Sequence, residues 1–147
     1  GGFLFGPGSI VSDVPYDPDL YFYGEEPAMS ARLWTSGFNI YAPHRLLLFH
    51  LYKTGGTTAE HSANHWSDHS DWFRYNLRSL KRVHTLLGSL DHAPASIRCF
   101  NDQPGDLTPY GLGTQRSLNM YQHWAGVNFA KAEISQAARS AQFSSAM

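Results

Sequence analysis

Two adjacent carboxylates, Glu25 and Glu26, are the side chains of this sequence best suited to chemistry. They follow Gly24 and precede an apolar pattern of helical period, and acids placed in a cleft orient sugar hydroxyls by accepting their hydrogen bonds. An ordinary interpretation stands beside this one, because acidic residues in a first helical turn are stabilised by the helix dipole. The pair alone therefore does not decide between a sugar site and a helix start.

Histidine is the second chemically useful residue type. His50 lies in the apolar run 46–51, where a buried imidazole needs a hydrogen-bond partner or a metal ion. A core histidine satisfied by hydrogen bonds is the ordinary interpretation of such a position. His61, His65 and His69 recur every four residues and would share one helix face, but their polar neighbours indicate a solvated segment rather than a native metal site.

Composition limits the possible partners. The 147 residues are 42% hydrophobic, which is enough for one core, and eleven basic against twelve acidic residues give a net charge of -1. This balance argues against nucleic acid and anionic membranes as partners. No apolar run approaches the roughly 20 residues that span a bilayer. The single Cys99 suits a reducing compartment, so a cytoplasmic location is expected.

The elements that must position these side chains alternate between the two periodicities. Short β-rich runs indicate strands, and apolar residues at helical spacing indicate helices. Such alternation predicts an α/β fold, with the acidic pair between a strand end and a helix. The predicted strands are 3–5, 38–41 and 46–52, and the predicted helices are 27–36, 72–90 and 117–124.

Six short motifs in a fixed order resemble one enzyme family. They are residues 2–5, 13–18, 24–26, 31–37, 50–52 and 110–118. Together they resemble the polypeptide hydroxyproline N-acetylglucosaminyltransferases, whose members modify a ubiquitin-ligase subunit in the cytosol. The glycine-rich start, the acidic turn, the Arg-x-Trp helix and the histidine are also distantly similar to the polypeptide N-acetylgalactosaminyltransferases.

The resemblance implies an activity and a fold. The expected fold is the C-terminal part of a GT-A fold, with a mixed sheet and flanking helices, incomplete at its N-terminus. The expected reaction is metal-dependent, retaining transfer of N-acetylglucosamine from UDP-GlcNAc to an acceptor hydroxyl on a protein or glycan. A manganese or magnesium ion would neutralise the charge that develops on the departing UDP.

The resemblance also implies a role for individual residues. His50 would be a metal ligand, Glu25 would contact the donor sugar, and Glu26 would lie beside the reacting centre. Gly1 and Gly2 would let the backbone approach the sugar. Arg32 would pair with one of the acids and help to bind the donor.

The expected organisation has three parts. Residues 1–60 would be the C-terminal half of the catalytic domain, 61–129 a helical extension specific to the family, and 130–147 a low-complexity tail. The family's Asp-x-Asp metal motif would precede Gly1, so the chain alone is expected to be inactive. A non-catalytic carbohydrate-binding or protein-interaction module is the alternative, and the presence of Glu25, Glu26 and His50 together favours the enzyme.

Overall fold

The computed structural model describes residues 3–43, 45–49 and 69–142, and these residues are mainly helical. About 43% of them are in helices. The helices are α1 (Ile10–Asp13), α2 (Glu25–Thr35), α3 (Trp72–Leu86), α4 (Ala95–Arg98), α5 (Leu118–Ala125) and α6 (Gln136–Arg139), with 3-10 turns at Leu90–His92 and Thr108–Tyr110. Strands β1 (Val127–Asn128) and β2 (Glu133–Ile134) pair antiparallel, Val127 opposite Ile134.

The predicted α/β fold of GT-A type is wrong for this structure. Residues 3–5 and 38–41 form no strand, and neither do residues 46–49 of the run 46–52. A β-rich run becomes a strand only when a neighbouring strand pairs with its backbone, and among the described residues the one sheet is the β1–β2 pair. Several apolar side chains of these runs are exposed instead, including Phe5 and Phe49, which are 88% and 89% exposed.

The three predicted helices are confirmed, with small shifts of their ends. Helix α2 begins two residues earlier than predicted, so Glu25 and Glu26 lie within its first turn and follow a turn rather than a strand. Gly24 precedes them with a φ of 92°, and a Cβ there would lie 2.7 Å from Cγ2 of Val83 in α3. This glycine therefore lets the start of α2 approach α3 closely.

The main core joins α2, α3 and α5. Its buried members are Ala28, Ala31, Trp34, Val83, Leu87 and Tyr121. Trp34 is only 1% exposed, and its ring centroid lies 5.9 Å from that of Tyr121 and 5.7 Å from that of Trp124. Helix α2 is thus the central element of the core. No helix in the described ranges is long and apolar enough to cross a lipid bilayer.

The C-terminal end of α2 is bound by the segment 111–116. The amide of Gly113 donates to Thr35 Oγ1 at 2.9 Å, and the amides of Gln115 and Arg116 donate to the Thr35 carbonyl oxygen at 2.9 and 3.1 Å. The Arg116 guanidinium lies 4.7 Å from the centroid of the Trp34 ring. The motifs 31–37 and 110–118, which are far apart in sequence, therefore form one packed unit.

Two parts of the chain are more ordered than their sequence suggests. The stretch between the predicted helices 72–90 and 117–124 contains α4 and most of the turn Leu90–His92, because Leu77 of α3 packs with Ala93 and Ile97 in a separate cluster. Residues 130–142, the described part of the predicted tail, contain β2 and α6. The division into 1–60, 61–129 and 130–147 stays a prediction, although α2 from the first part shares its core with α3 and α5 from the second.

Candidate functional site

A cavity of about 720 Å³ opens beside the first turns of α2. It lies between residues 3–7, the N-terminal half of α2 and residues 38–43, and both Glu25 and Glu26 line it. Glu25 is half-buried and Glu26 is exposed. The structure therefore places the acidic pair at a cavity as well as at a helix start, so the two interpretations of the pair are compatible.

The cavity is lined by both apolar and polar residues. Met29 and Leu33 of α2, which are buried with Val14, line it together with Phe38 and Ile40. The polar side chains at the cavity come from α2, from residues 38–43 and from the loop before α2, and they are Tyr16, Glu25, Glu26, Ser30, Asn39 and Tyr41. An apolar surface with a few polar groups is typical of small-molecule sites.

Helix α2 presents its carboxylates at the positive end of the helix dipole. The first amides of a helix have no partner within the helix, and their partial positive charge stabilises negative groups in the first turn. The fixed end of α2 at Gly24 and the packing of Ala28 against the core hold this turn in place. The carboxylates therefore stand on a rigid support, which a ligand site needs.

Arg32 is buried within the protein and binds backbone on both sides of α2. Its Nη1 donates to the carbonyl oxygen of Pro15 at 2.7 Å, and its Nε donates to that of Gly111 at 3.3 Å. Burial lowers the pKa of Arg32, and the charge of Asp17 opposes this shift. These contacts hold the segment before Tyr16, a cavity residue, against α2. A contact between Arg32 and the donor sugar stays a prediction.

A buried ion pair fixes the next part of the same segment. Arg82 of α3 is fully buried, and its Nε lies 2.6 Å from Oδ2 of Asp17. The guanidinium also donates to the carbonyl oxygens of Pro104 and Asp106, at 2.7 and 2.8 Å. Asp17 Oδ1 accepts from the amide of Asp19 at 3.1 Å. Asp17 therefore fixes the loop before the acidic turn.

One aromatic ring connects the two buried arginines. The guanidinium carbons of Arg32 and Arg82 lie 5.7 and 5.6 Å from the centroid of the Tyr110 ring. Both distances are within the range of cation–π attraction. Sequence reasoning missed Arg82, because a cation on an amphipathic helix ordinarily faces solvent, and no sequence signal distinguishes it from its neighbours.

Three predicted site residues lie outside the described residues, namely Gly1, Gly2 and His50. His61 and His65 also lie outside them. Within the part of the chain that the structure describes, no three His, Cys, Asp or Glu side chains lie close enough together to hold a metal ion. The two cavity carboxylates alone do not make up the coordination shell of a hard divalent cation. The role of His50 stays a prediction.

The structure adds cavity residues that sequence reasoning did not propose. Tyr16, Ser30, Asn39 and Tyr41 line the cavity with the predicted acids. A signal existed for one of them, since Tyr16 lies inside the motif 13–18. Tyr41 carries no such signal, because its place at the cavity depends on how residues 38–43 pack on α2.

Comparison with known proteins gives one family. The family model described as "Glycosyltransferase (GlcNAc)" matches residues 1–131 of the chain. No match was found among curated proteins or among solved structures. The family match spans the acidic pair, the cavity residues and the motif 110–118. The chain therefore belongs to the GlcNAc glycosyltransferase family, and this membership supports a transferase function.

Proposed function

We propose that the protein transfers N-acetylglucosamine from UDP-GlcNAc to a hydroxyl group on a protein, and that the sugar of the donor binds in the cavity beside Glu25 and Glu26. One observation carries this proposal: in a chain that matches the family, the cavity of about 720 Å³ is lined by both carboxylates. The motif resemblance suggests hydroxyproline as the acceptor residue. A cytoplasmic location, dependence on a divalent metal and retention of configuration belong to the same proposal.

The chemistry of the lining fits a sugar. Carboxylate oxygens accept hydrogen bonds from sugar hydroxyls, while Met29 and Leu33 offer apolar surface to the C–H faces of the ring. The volume falls within the range of about 300–1,000 Å³ that is usual for small-ligand sites. In the transfer, the bond from C1 to the UDP oxygen breaks, the acceptor oxygen bonds to C1, and the acceptor proton passes to the departing phosphate. Glu25 would contact the sugar and Glu26 the reacting centre.

The test compares charge-neutral variants of the two acids. Both assays use the full-length product of the parent coding sequence. Donor binding is measured by saturation-transfer NMR with UDP-GlcNAc, and turnover is measured as UDP release with manganese and a hydroxyproline peptide. We expect Glu25→Gln to weaken donor binding, and Glu26→Gln to lower turnover far more than binding. Asp91→Asn is the matched control, because Asp91 is exposed, lies in the turn Leu90–His92 and does not line the cavity. If wild type and both acid variants have equal donor binding and equal turnover, neither acid acts in the site.

The aromatic lining supports a second candidate function. Phe3, Tyr16 and Tyr41 line the cavity, and aromatic faces bind sugars without any catalysis. A non-catalytic carbohydrate-binding module would show saturation transfer to the sugar but no UDP release with metal and acceptor. The same two assays therefore separate the enzyme from the binding module.

A further inference from the structure

Asn39 and Arg116 form a polar junction at the edge of the cavity. Asn39 lines the cavity, and its Oδ1 accepts a hydrogen bond of 2.8 Å from Nη2 of Arg116. The same guanidinium donates to the carbonyl oxygens of Gly37 and Phe38, both at 3.2 Å. The guanidinium also lies over the ring of Trp34, which holds it in place. Arg116 therefore fixes both the backbone before Asn39 and the Asn39 side chain.

The donor-only character of arginine sets the direction of the Asn39 amide. A guanidinium carries hydrogen-bond donors and no acceptor, so the amide atom that faces it must be the oxygen. The two ends of an asparagine amide are otherwise hard to assign, and here the partner assigns them. The amide nitrogen lies at the other end of the group, and Asn39 is an exposed residue of the cavity lining.

The cavity matches the acetamido group of N-acetylglucosamine. That group has a carbonyl oxygen that needs a donor and a methyl group that needs an apolar surface. Ionised Glu25 and Glu26 only accept hydrogen bonds and suit hydroxyls. The Asn39 amide nitrogen is a donor held in place before the ligand arrives, and Leu33 and Phe38 supply apolar surface in the same cavity.

We propose that the Asn39 amide nitrogen donates to the acetamido carbonyl oxygen of the bound sugar, and that Arg116 is the positioning residue that orients Asn39. This inference rests on the proposed function and adds the reason why the site would choose an N-acetyl sugar over the parent hexose. A site that hydrogen-bonds a substrate group rejects an analogue that lacks the group, because its own polar atom is then left unpaired.

The decisive variant is Asn39→Asp. Aspartate keeps an acceptor for Arg116 but has no amide hydrogens to offer. Saturation-transfer NMR on the same full-length protein, with UDP-GlcNAc and UDP-glucose as separate probes, gives the affinity ratio of the two donors and the saturation of the acetamido methyl protons. We expect Asn39→Asp to lower the UDP-GlcNAc to UDP-glucose preference about tenfold, as the loss of one good hydrogen bond implies. The assay contains no peptide, so an acceptor amide cannot cause the effect.

Two further variants separate positioning from general stability. Asn101→Asp makes the same chemical change at an exposed position that does not line the cavity, and should leave the preference unchanged. Arg116→Lys keeps the charge but loses the planar fork of donors. Like Asn39→Asp, Arg116→Lys should lower the preference for UDP-GlcNAc over UDP-glucose. A thermal unfolding transition checks that this variant is still folded.

Each outcome bears on a different statement. The assignment is supported if Asn39→Asp lowers the preference for UDP-GlcNAc over UDP-glucose and weakens the acetamido methyl signal, while Asn101→Asp changes neither. Normal sugar saturation with an unchanged preference in Asn39→Asp overturns the role of Asn39 and leaves the proposed function in place. If wild-type protein gives no saturation of either sugar, the proposed function fails, and the assignment of Asn39 fails with it.

Discussion

Replacing Gly113 with alanine tests the contact between the motifs 31–37 and 110–118. A Cβ at Gly113 would lie 2.3 Å from the backbone nitrogen of Ser36, 2.4 Å from its Cα and 2.5 Å from its Oγ. Two of these atoms are backbone at the C-terminal end of α2, so a side-chain rotation cannot relieve the clash. Either α2 or the segment 111–116 has to move.

The size of the effect follows from the contacts that a movement would break. Three backbone amides of the segment 111–116, those of Gly113, Gln115 and Arg116, donate hydrogen bonds to Thr35. Losing three such bonds costs about 3 kcal/mol, at about 1 kcal/mol each. Keeping them and straining the contact costs about 1–3 kcal/mol, as overpacking does in other cores. The less costly response sets the loss, so we expect Gly113→Ala to lower the free energy of unfolding by about 1–3 kcal/mol.

Urea unfolding followed by circular dichroism measures this loss. With a slope of about 2 kcal/mol per molar urea, the midpoint should fall by roughly 1 M. Gly8→Ala is the matched control, because a Cβ at Gly8 meets nothing within 4 Å. Both variants stiffen the unfolded chain equally, so their difference isolates the native contact. Equal midpoints for Gly113→Ala and Gly8→Ala would refute the close approach.

Three other predictions concern charge. Asp17→Asn removes the carboxylate that lies 2.6 Å from the buried Arg82 cation and leaves only the more distant Asp19, at 3.9 Å. It should lower the free energy of unfolding by about 3 kcal/mol in a urea titration, whereas Asp102→Asn at the exposed Arg74 pair should have a much smaller effect. Burial lowers the pKa of His84, despite its hydrogen bond with Ser89, so the unfolded chain binds the proton more readily. Wild-type stability should therefore fall as pH drops below about 6.5. In His84→Gln, the urea midpoint should depend less on pH between about pH 7.5 and 5.5 than it does in the wild type. If His50 is a metal ligand, His50→Ala should abolish the manganese dependence of UDP release, and equal metal dependence in the variant would exclude that role.

The helices and the acidic turn could be predicted because their signals are local. The spacing of Met29, Leu33 and Trp34 indicates α2, and the long amphipathic pattern from Trp72 indicates α3. The strands could not be predicted in the same way, because a run such as 38–41 has suitable side chains but no neighbouring strand among the described residues. Strand formation depends on a partner that the run itself does not specify.

The candidate site was predictable in part. The pair Glu25 and Glu26 was found from its place before a helix and from the motif resemblance, and the structure puts it at a cavity. Asn39 and Arg116 were not found, because 77 positions separate them and the hydrogen bond that joins them exists only in the folded chain. Arg82 was missed for a related reason, since its buried partner Asp17 lies 65 positions away.

The sequence by itself determined the helical segments, the absence of a strong net charge and the family motifs, because periodicity, composition and short patterns are properties of neighbouring residues. Only the tertiary structure decided that the apolar runs 38–41 and 46–49 are not strands, that Arg32 and Arg82 are buried around Tyr110, and that Asn39 meets Arg116 at the cavity. Each of these outcomes depends on which distant groups satisfy a backbone amide, a charge or an apolar surface, and that is settled when the chain packs.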